Sequence, residues 1–412
     1  MLVKRLRLKN FRNYAEEDVE FGSIRNIVIG ENAQGKTNLI EAIEYSALGR
    51  STRTTDDKEL IRKGESRAAI ILDFEANTLE QRIEIELSLR MTAGARGPRT
   101  ALDRKVKING VSYSSTRNLA GKIVVVGFKS LDLNLLRGGP RYRREWIDDL
   151  TSTLKTSYAR SLSRFNKAVT QRNRLLKEMF ERIRLSQSDE DELKVWDQQV
   201  ASLGASLVRS RLMVLKSLIP LAEARQAQLS GAREKLSIEY FLHSIDDEDP
   251  RADGILNLDE ESEIMPEKEI EEKILTCLAT RKREEIARRQ TLTGPHRDDV
   301  RLKLNGFDAT AFASQGQQRS LVLSLKLSEL FLVAHFLKEP PILLLDDVLA
   351  ELDLSRQGYL MESLSESMQT IITTTHIDGF KPEWLSGASF LSVHDGRARK
   401  GESPLEEKPA GR

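Results

Sequence analysis

Gly30-Glu31-Asn32-Ala33-Gln34-Gly35-Lys36-Thr37 fits the G-x-x-x-x-G-K-[ST] phosphate loop. Its flanks are those such a loop requires. Ile27-Val28-Ile29 reads as a buried strand running into it, and Leu39, Ile40, Ile43 and Leu48 recur at helical spacing after it. Glycines at 30 and 35 let backbone N–H groups turn inward around an anion, Lys36 reaches the β- and γ-phosphate oxygens, and the Thr37 hydroxyl holds a magnesium ion. Glu31, Asn32, Ala33 and Gln34 complete the loop, and Asn38 follows in the first turn of the helix. The expected ligand is a nucleoside triphosphate with Mg2+.

The chain has 412 residues, room for two or three domains, and its 31% charged and 39% hydrophobic residues are ordinary for a soluble protein. A single cysteine, Cys277, excludes an internal disulfide and a cysteine-based zinc cluster, and suits a reducing compartment. Residues 1–8 alternate apolar and basic side chains like a strand, with no apolar signal core. No apolar run approaches the ~20 residues that a membrane span needs. A cytoplasmic protein with no membrane partner is expected.

The net charge of +1 hides two opposed blocks. Residues 141–184 hold twelve Lys/Arg against five Asp/Glu, whereas residues 243–272 hold thirteen acids against two bases. The basic block carries Arg141, Arg143, Arg144, Arg160, Arg164 and Lys167 among helix formers. It is either a footprint for a phosphate backbone, and so for DNA, or a solvated helix face. The acidic block, with Asp246-Asp247-Glu248-Asp249-Pro250, reads as a mobile insertion.

Along the chain, strands are expected near 2–8, 26–29, 68–74, 82–89, 105–108 and 122–127, with a turn over 92–99. From about residue 141 the period becomes helical, with long helices over 142–185 and 189–229, a strand over 236–242 and a further helix over 266–290. The helices are too short for a long coiled-coil rod and predict a short arm. After residue 290 the pattern returns to α/β alternation, and the tail from about 400 reads as disordered.

The returning segment carries further nucleotide chemistry. Ile342-Leu343-Leu344-Leu345-Asp346-Asp347 is an apolar strand ending in two carboxylates, as a magnesium-binding edge beside a phosphate loop requires. Asp346 is expected to hold the metal through water, and Asp347 to orient or deprotonate the attacking water. Ser314-Gln315-Gly316-Gln317-Gln318-Arg319 opens a helix whose N-terminus makes an anion site. Ser314, Gly316 and Gln317 could face a γ-phosphate held by a second subunit. Glu351-Leu352-Asp353 and a strand ending before His376 follow.

Phosphate loop, long insertion, signature helix, acidic strand, aspartate loop and terminal histidine follow one another in the order of an ABC-type ATPase head. The chain resembles the RecF family of such ATPases. The resemblance rests on residues 8–14 (Leu-Lys-Asn-Phe-Arg-Asn-Tyr), Gly49-Arg50-Ser51, Asp57 to Ile61, Thr293-Gly294-Pro295-His296-Arg297-Asp298-Asp299, and Leu345-Asp346-Asp347-Val348 with Glu351-Leu352-Asp353. Phe128-Lys129-Ser130-Leu131-Asp132-Leu133 departs from the family's Phe-Ser-Pro-Glu-Asp-Leu. The resemblance implies an α/β fold with a mixed sheet around the phosphate loop and a helical arm, or lid. Residues 1–140 and 291–399 would form the head, 141–290 the arm with the acidic insertion, and 400–412 the tail. It implies a weak ATPase with Lys36, Asp347 and the switch histidine His376 as catalytic residues and Thr37 and Asp346 on the metal. It further implies an ATP-dependent homodimer on gapped or single-strand/double-strand junction DNA. Such a dimer would work with RecO and RecR to load RecA in recombinational repair, replication restart and SOS induction. Arg12, Asn13 and Tyr14 are adenine-pocket candidates by family position.

Three other classes share some of these features. A transporter motor has the same head but no use for a basic arm. A chromosome-organising ATPase needs a far longer rod. A nuclease or helicase would need a His and carboxylate cluster beyond the ATP site, and the sequence offers none.

Overall fold

The alternating residues Leu2–Phe11 form β1, whose Leu6, Leu8 and Phe11 point into the core while Arg5, Arg7 and Lys9 face outward. In the computed structural model, which describes residues 1–94, 97–182, 186–243, 255–256, 258, 263–364, 367–377 and 380–401, β1 belongs to the first of two units. That unit comprises Met1–Asp132 with Glu329–Arg412, and the second comprises Leu133–Ser328.

In the first unit β1 pairs with β2 (Tyr14–Glu20) and β4 (Arg67–Ala76), and β5 (Leu79–Gly94), β6 (Gly97–Ile108) and β7 (Val111–Tyr113) extend an antiparallel sheet. Pairing of β5 with β6 continues to Gly94 and Gly97, so this hairpin is tighter than the turn expected over 92–99. The second sheet has the order β16-β15-β3-β14-β13-β8, from β3 (Arg25–Ile29), β8 (Val125–Lys129), β13 (Ile342–Asp346), β14 (Thr370–Thr374), β15 (Ser389–His394) and β16 (Arg397–Gly401). All but β16 run parallel, and β13 and β14 are buried along their whole length, as parallel strands covered on both faces are. Helix α1 (Lys36–Leu48) follows the phosphate loop, and its Leu39, Ile40, Ile43 and Tyr45 share one core with both sheets. A short helical turn, α10 (Leu354–Ser363), begins at Asp353, and α11 (Pro382–Leu385) precedes β15.

The second unit is helical around a small antiparallel sheet of order β10-β9-β11-β12, from β9 (Leu236–Phe241), β10 (Ile255–Leu256), β11 (Asp299–Leu304) and β12 (Phe307–Asp308). After the short α2 (Asn134–Arg137), the helix expected over 142–185 is two: α3 (Pro140–Leu154) and α4 (Thr156–Glu181), broken at Lys155 in extended conformation. Thr151 and Thr153 donate their hydroxyls back to the Ile147 and Asp149 carbonyls, which weakens the last turn of α3. The break also sets Tyr158 to donate to the Asp148 carboxylate. Helix α5 (Gln187–Ser230) starts on a Ser186–Asp189 capping box and stops at left-handed Gly231. The helix expected over 266–290 divides at Arg281 into α6 (Glu267–Thr280) and α7 (Lys282–Arg288). Helices α8 (Ala309–Phe312) and α9 (Gln315–Leu337) follow, and the unit boundary at Ser328 falls within α9. The second unit therefore runs beyond residue 290, because β11 pairs with β9 across the arm's own sheet.

By length and composition alone α9 could cross a membrane, but Lys326 and Glu329 interrupt its apolar residues and 67% of its apolar stretch is buried within the protein. The acidic insertion lies largely outside the described residues, as does the tail beyond 401. Lys400 and Gly401, expected in the tail, belong to β16.

Candidate active site

Strands β3, β14 and β13 lie side by side and parallel, so their carboxyl ends bring Gly30, Thr374 and Asp346-Asp347 to one edge of the sheet. In open α/β sheets this is the edge where ligands bind. Lys36 is 3% exposed, and its ammonium donates to the Gly30 and Glu31 carbonyls at 2.7 and 3.0 Å. It also lies 4.0 Å from the Asp347 carboxylate. Thr37 Oγ1 donates to Asp346 Oδ1 at 3.0 Å, which joins the loop to the acidic strand. Thr37 and Asp346 are hard oxygen donors of the kind magnesium takes. Among the described residues no group of three or more His, Cys, Asp and Glu side chains could hold a metal unaided.

Thr373, which the sequence reading did not single out, ties the two aspartates together. Its Oγ1 donates to Asp346 Oδ1 at 2.8 Å and accepts from the Asp347 backbone N–H at 3.0 Å. Asp347 has φ 55°, a left-handed conformation that a non-glycine residue adopts at a cost of about 1–2 kcal/mol. Burial raises the Asp347 pKa, Asp346 and Glu351 add to the rise, and Lys36 opposes it. Strain and a raised acid at a strand end are marks of a functional position. The signal in sequence was the Thr373-Thr374-Thr375 run, which has no meaning until β14 is placed between β3 and β13.

Other expected site residues fall as follows. Glu31, Asn32 and Ala33 are exposed, and Gly35 is buried in a left-handed conformation. The Asn38 side chain is engaged by Asn13 and Arg53. His376 is exposed, and its backbone is fixed by Thr374, whose hydroxyl donates to the His376 carbonyl at 2.6 Å. Arg12 pairs with both Glu41 oxygens, at 2.7 and 2.9 Å. Burial pushes the Glu41 carboxyl up, but Arg12, Ser51 and Arg53 together hold it below its ordinary range. In the divergent segment, Lys129 stands in register with Asp346 and its ammonium pairs with buried Glu44 and with Thr52 Oγ1 at 2.6 Å.

In the second unit Ser314 is exposed at the start of α9 and forms a reciprocal cap with Gln317: its N–H donates to Gln317 Oε1 at 2.8 Å, and its Oγ accepts from Gln317 N at 3.3 Å. Gln317 Nε2 also donates to Glu234 at 3.0 Å. Gly316 lies between them in the first turn.

The basic block divides by burial. Arg143, expected on DNA, is 6% exposed, bidentate on Asp299 at 2.8 Å and bonded to the Leu135 and Gly138 carbonyls. Its guanidinium is spent inside the fold, which removes it from the residues expected on DNA. Arg144 is half-buried and donates to the Asp298 carbonyl at 2.8 Å, and burial lowers its pKa. Arg141 is exposed and pairs with Glu145. Arg160, Arg164 and Lys167 are exposed along α4 at helical spacing, with no carboxylate partner among the described residues.

Within the Thr293 to Asp299 stretch, His296 and Asp298 have structural roles. His296 Nε2 lies 3.1 Å from the Thr291 carbonyl, which can only accept, so this nitrogen carries the proton. Asp298 accepts from Tyr240 and from His243 N, and Arg211 joins Asp148, Tyr240 and the Pro295 carbonyl.

A phosphate loop and a paired acidic strand at one edge of a mixed sheet, in one chain with a capped signature helix, define an ABC-type ATPase head. The family described as RecF/RecN/SMC N terminal domain matches residues 2–383. The DNA replication and repair protein RecF of Nostoc punctiforme is 41% identical over 396 residues, covering 96% of this chain and 98% of that protein. The RecF of Thermosynechococcus vestitus is 40% identical over 397 residues, covering 96% of each. The solved recombination mediator protein RecF-ATP in the RecFOR pathway superposes with a TM-score of 0.83 at 30% identity, covering 97% of this chain and 98% of that one. An SmcHead bound to the C-winged helix domain of ScpA, at 15% identity and a TM-score of 0.51, shares the fold alone. The chain belongs to the RecF family of ATPases.

Proposed function

We propose that this protein is an ATP-driven DNA clamp. ATP held by Gly30 to Thr37 of one subunit would also engage Ser314, Gly316 and Gln317 of a second, so that binding joins two copies. Asp347 would orient the attacking water and take its proton as the β–γ bridging oxygen leaves the γ-phosphorus, giving ADP and inorganic phosphate. Lys36 would balance the charge that collects on the leaving oxygens. Mg2+, held by Thr37 and through water by Asp346, would screen the phosphates. Aspartate is one methylene shorter than the glutamate common in such heads, so turnover is slow and acts as a timer.

The observation that carries this reading is the convergence of Lys36, Thr37, Asp346, Asp347 and Thr373 at one sheet edge. Membership of the RecF family supports the rest: gapped or single-strand/double-strand junction DNA as the ligand, RecO and RecR as partners, and RecA loading in repair, replication restart and the SOS response as the outcome. Arg160, Arg164 and Lys167 are the proposed phosphate contacts, with Arg141 at the edge of the stripe and Arg144 in a supporting place. The test is titration of gapped duplex across a salt series with the triple variant Arg160→Glu/Arg164→Glu/Lys167→Glu. Each lost phosphate contact lowers the slope of log K against log salt by about 0.9. A fall of about two to three is expected, and an unchanged slope would place the DNA elsewhere.

A further inference from the structure

The phosphate loop is gripped from outside by two segments that the chemistry does not use. The hairpin between β15 and β16 turns at Asp395-Gly396, both left-handed, as a two-residue type I′ connection requires. Its two outward N–H groups converge on one residue of the loop: Gly396 N donates to the Gln34 carbonyl at 3.1 Å, and Asp395 N donates to Gln34 Oε1 at 2.7 Å. From the other side Asn13 Nδ2 donates to the same Gln34 carbonyl at 2.9 Å, and the buried Tyr14 hydroxyl donates to the Gly35 carbonyl at 3.0 Å. The fit leaves no slack. A Cβ on Gly30 would meet the Val393 carbonyl at 2.4 Å, one on Gly35 would meet Asn13 Nδ2 at 2.6 Å, and one on Gly396 would meet the Asn13 carbonyl at 2.7 Å.

The consequence follows from the planar trans peptide, in which C=O and the next N–H point in opposite directions. Holding the Gln34 carbonyl outward aims the Gly35 N–H inward, and holding the Gly35 carbonyl outward aims the Lys36 N–H inward. These are N–H groups that an anion in the loop needs. We propose that Asn13, Tyr14 and the Asp395-Gly396 turn are positioning residues that pre-organise the phosphate-binding N–H groups, and that Asn13 and Tyr14 serve the triphosphate rather than the adenine. The proposal rests on the nucleotide reading of the loop and assigns its support.

The test compares ATP with inorganic tripolyphosphate, which has the phosphates and no base, by calorimetric titration of wild type, Asn13→Ala and Tyr14→Phe, alongside the melting temperature without ligand. Both variants are expected to bind ATP and tripolyphosphate about tenfold more weakly, by the same factor for each ligand, with ligand-free melting close to that of wild type. An adenine contact would weaken ATP and leave tripolyphosphate unchanged, and that result overturns the proposal. So does unaltered affinity for both ligands in the two variants, or weakening that only follows a fall in melting temperature. Failure of the wild type itself to bind ATP would instead refute the nucleotide reading, a separate outcome.

Discussion

Replacing Thr373 with valine removes one hydroxyl and keeps the volume of a side chain that is fully buried, so no cavity opens. Its shorter bonds are lost with it, the 2.8 Å donation to Asp346 and the 3.0 Å bond from the Asp347 N–H, as is a long 3.5 Å contact to the Leu345 carbonyl. The first is charge-assisted, and such a bond contributes about 1.5–3 kcal/mol. The second anchors Asp347 in a left-handed conformation worth about 1–2 kcal/mol of strain, which is free to relax once the anchor goes. If the strain and the Asp346 orientation are realised in the transition state, a loss of about 1.5–3 kcal/mol lowers kcat by roughly 10- to 150-fold. The assay is single-turnover ATP hydrolysis with saturating Mg2+, in parallel with nucleotide affinity. Because Lys36 and the loop N–H groups are untouched, ATP affinity should change less than twofold. Thr373→Ser keeps the hydroxyl and should retain most of the rate. A Thr373→Val enzyme within twofold of wild type, or a Thr373→Ser enzyme as slow as the valine variant, would refute the reasoning.

The arm offers a stability prediction: Arg172 is fully buried and bonds Asp197, Glu285 and Thr291 at 2.7, 2.6 and 2.9 Å, so Arg172→Met strands the buried Glu285 and should lower unfolding free energy by about 3–5 kcal/mol, with Glu285→Leu in the same chain restoring more than half by urea titration. For pH, burial pushes His296 down to about 4, so between pH 6.5 and 4 the unfolded chain binds a proton that the folded chain refuses, and stability falls as pH falls. Asp298, pushed up to about 6 by burial against the pull of Arg211, acts in the opposite sense between 3.8 and 6, where stability falls as pH rises. The stability of wild type relative to His296→Gln should therefore drop by about 2–3 kcal/mol from pH 7 to pH 4, and a constant difference would contradict the shift. Asp347→Asn should keep ATP binding and lose hydrolysis, measured as phosphate release; retained release would assign the water to another group.

What could be read from sequence was what local chemistry dictates. The strand before the phosphate loop, the loop and α1 are specified within about twenty consecutive residues, and the two aspartates after an apolar run carry their own signal. Thr373 was invisible because its meaning comes from β14 lying between β3 and β13, a fact of sheet order. Arg143 was misread for the same reason: its partner Asp299 lies 156 residues away, and only tertiary contact distinguishes a buried guanidinium from a surface one. The break at Lys155 escaped a periodicity argument because apolar spacing continues through it, while the competing side-chain bonds of Thr151 and Thr153 do not affect the pattern. The Asp395-Gly396 turn was not singled out in the sequence, and its grip on Gln34 depends on tertiary contact across 361 residues.

The most direct measurement of the clamp is molecular mass in solution, with and without ATP and Mg2+, for wild type and Ser314→Arg, repeated with gapped duplex. Ser314 is exposed at the start of α9, and its replacement also removes the Oγ that accepts from Gln317 N, so the melting temperature of Ser314→Arg without nucleotide, expected close to that of wild type, separates a lost cap from a blocked second copy. An ATP-dependent doubling of mass that Ser314→Arg abolishes, accompanied by tighter DNA binding in the wild type, is the predicted result. A mass that stays monomeric under every condition would contradict the clamp and leave a nucleotide-binding head without a partner phosphate.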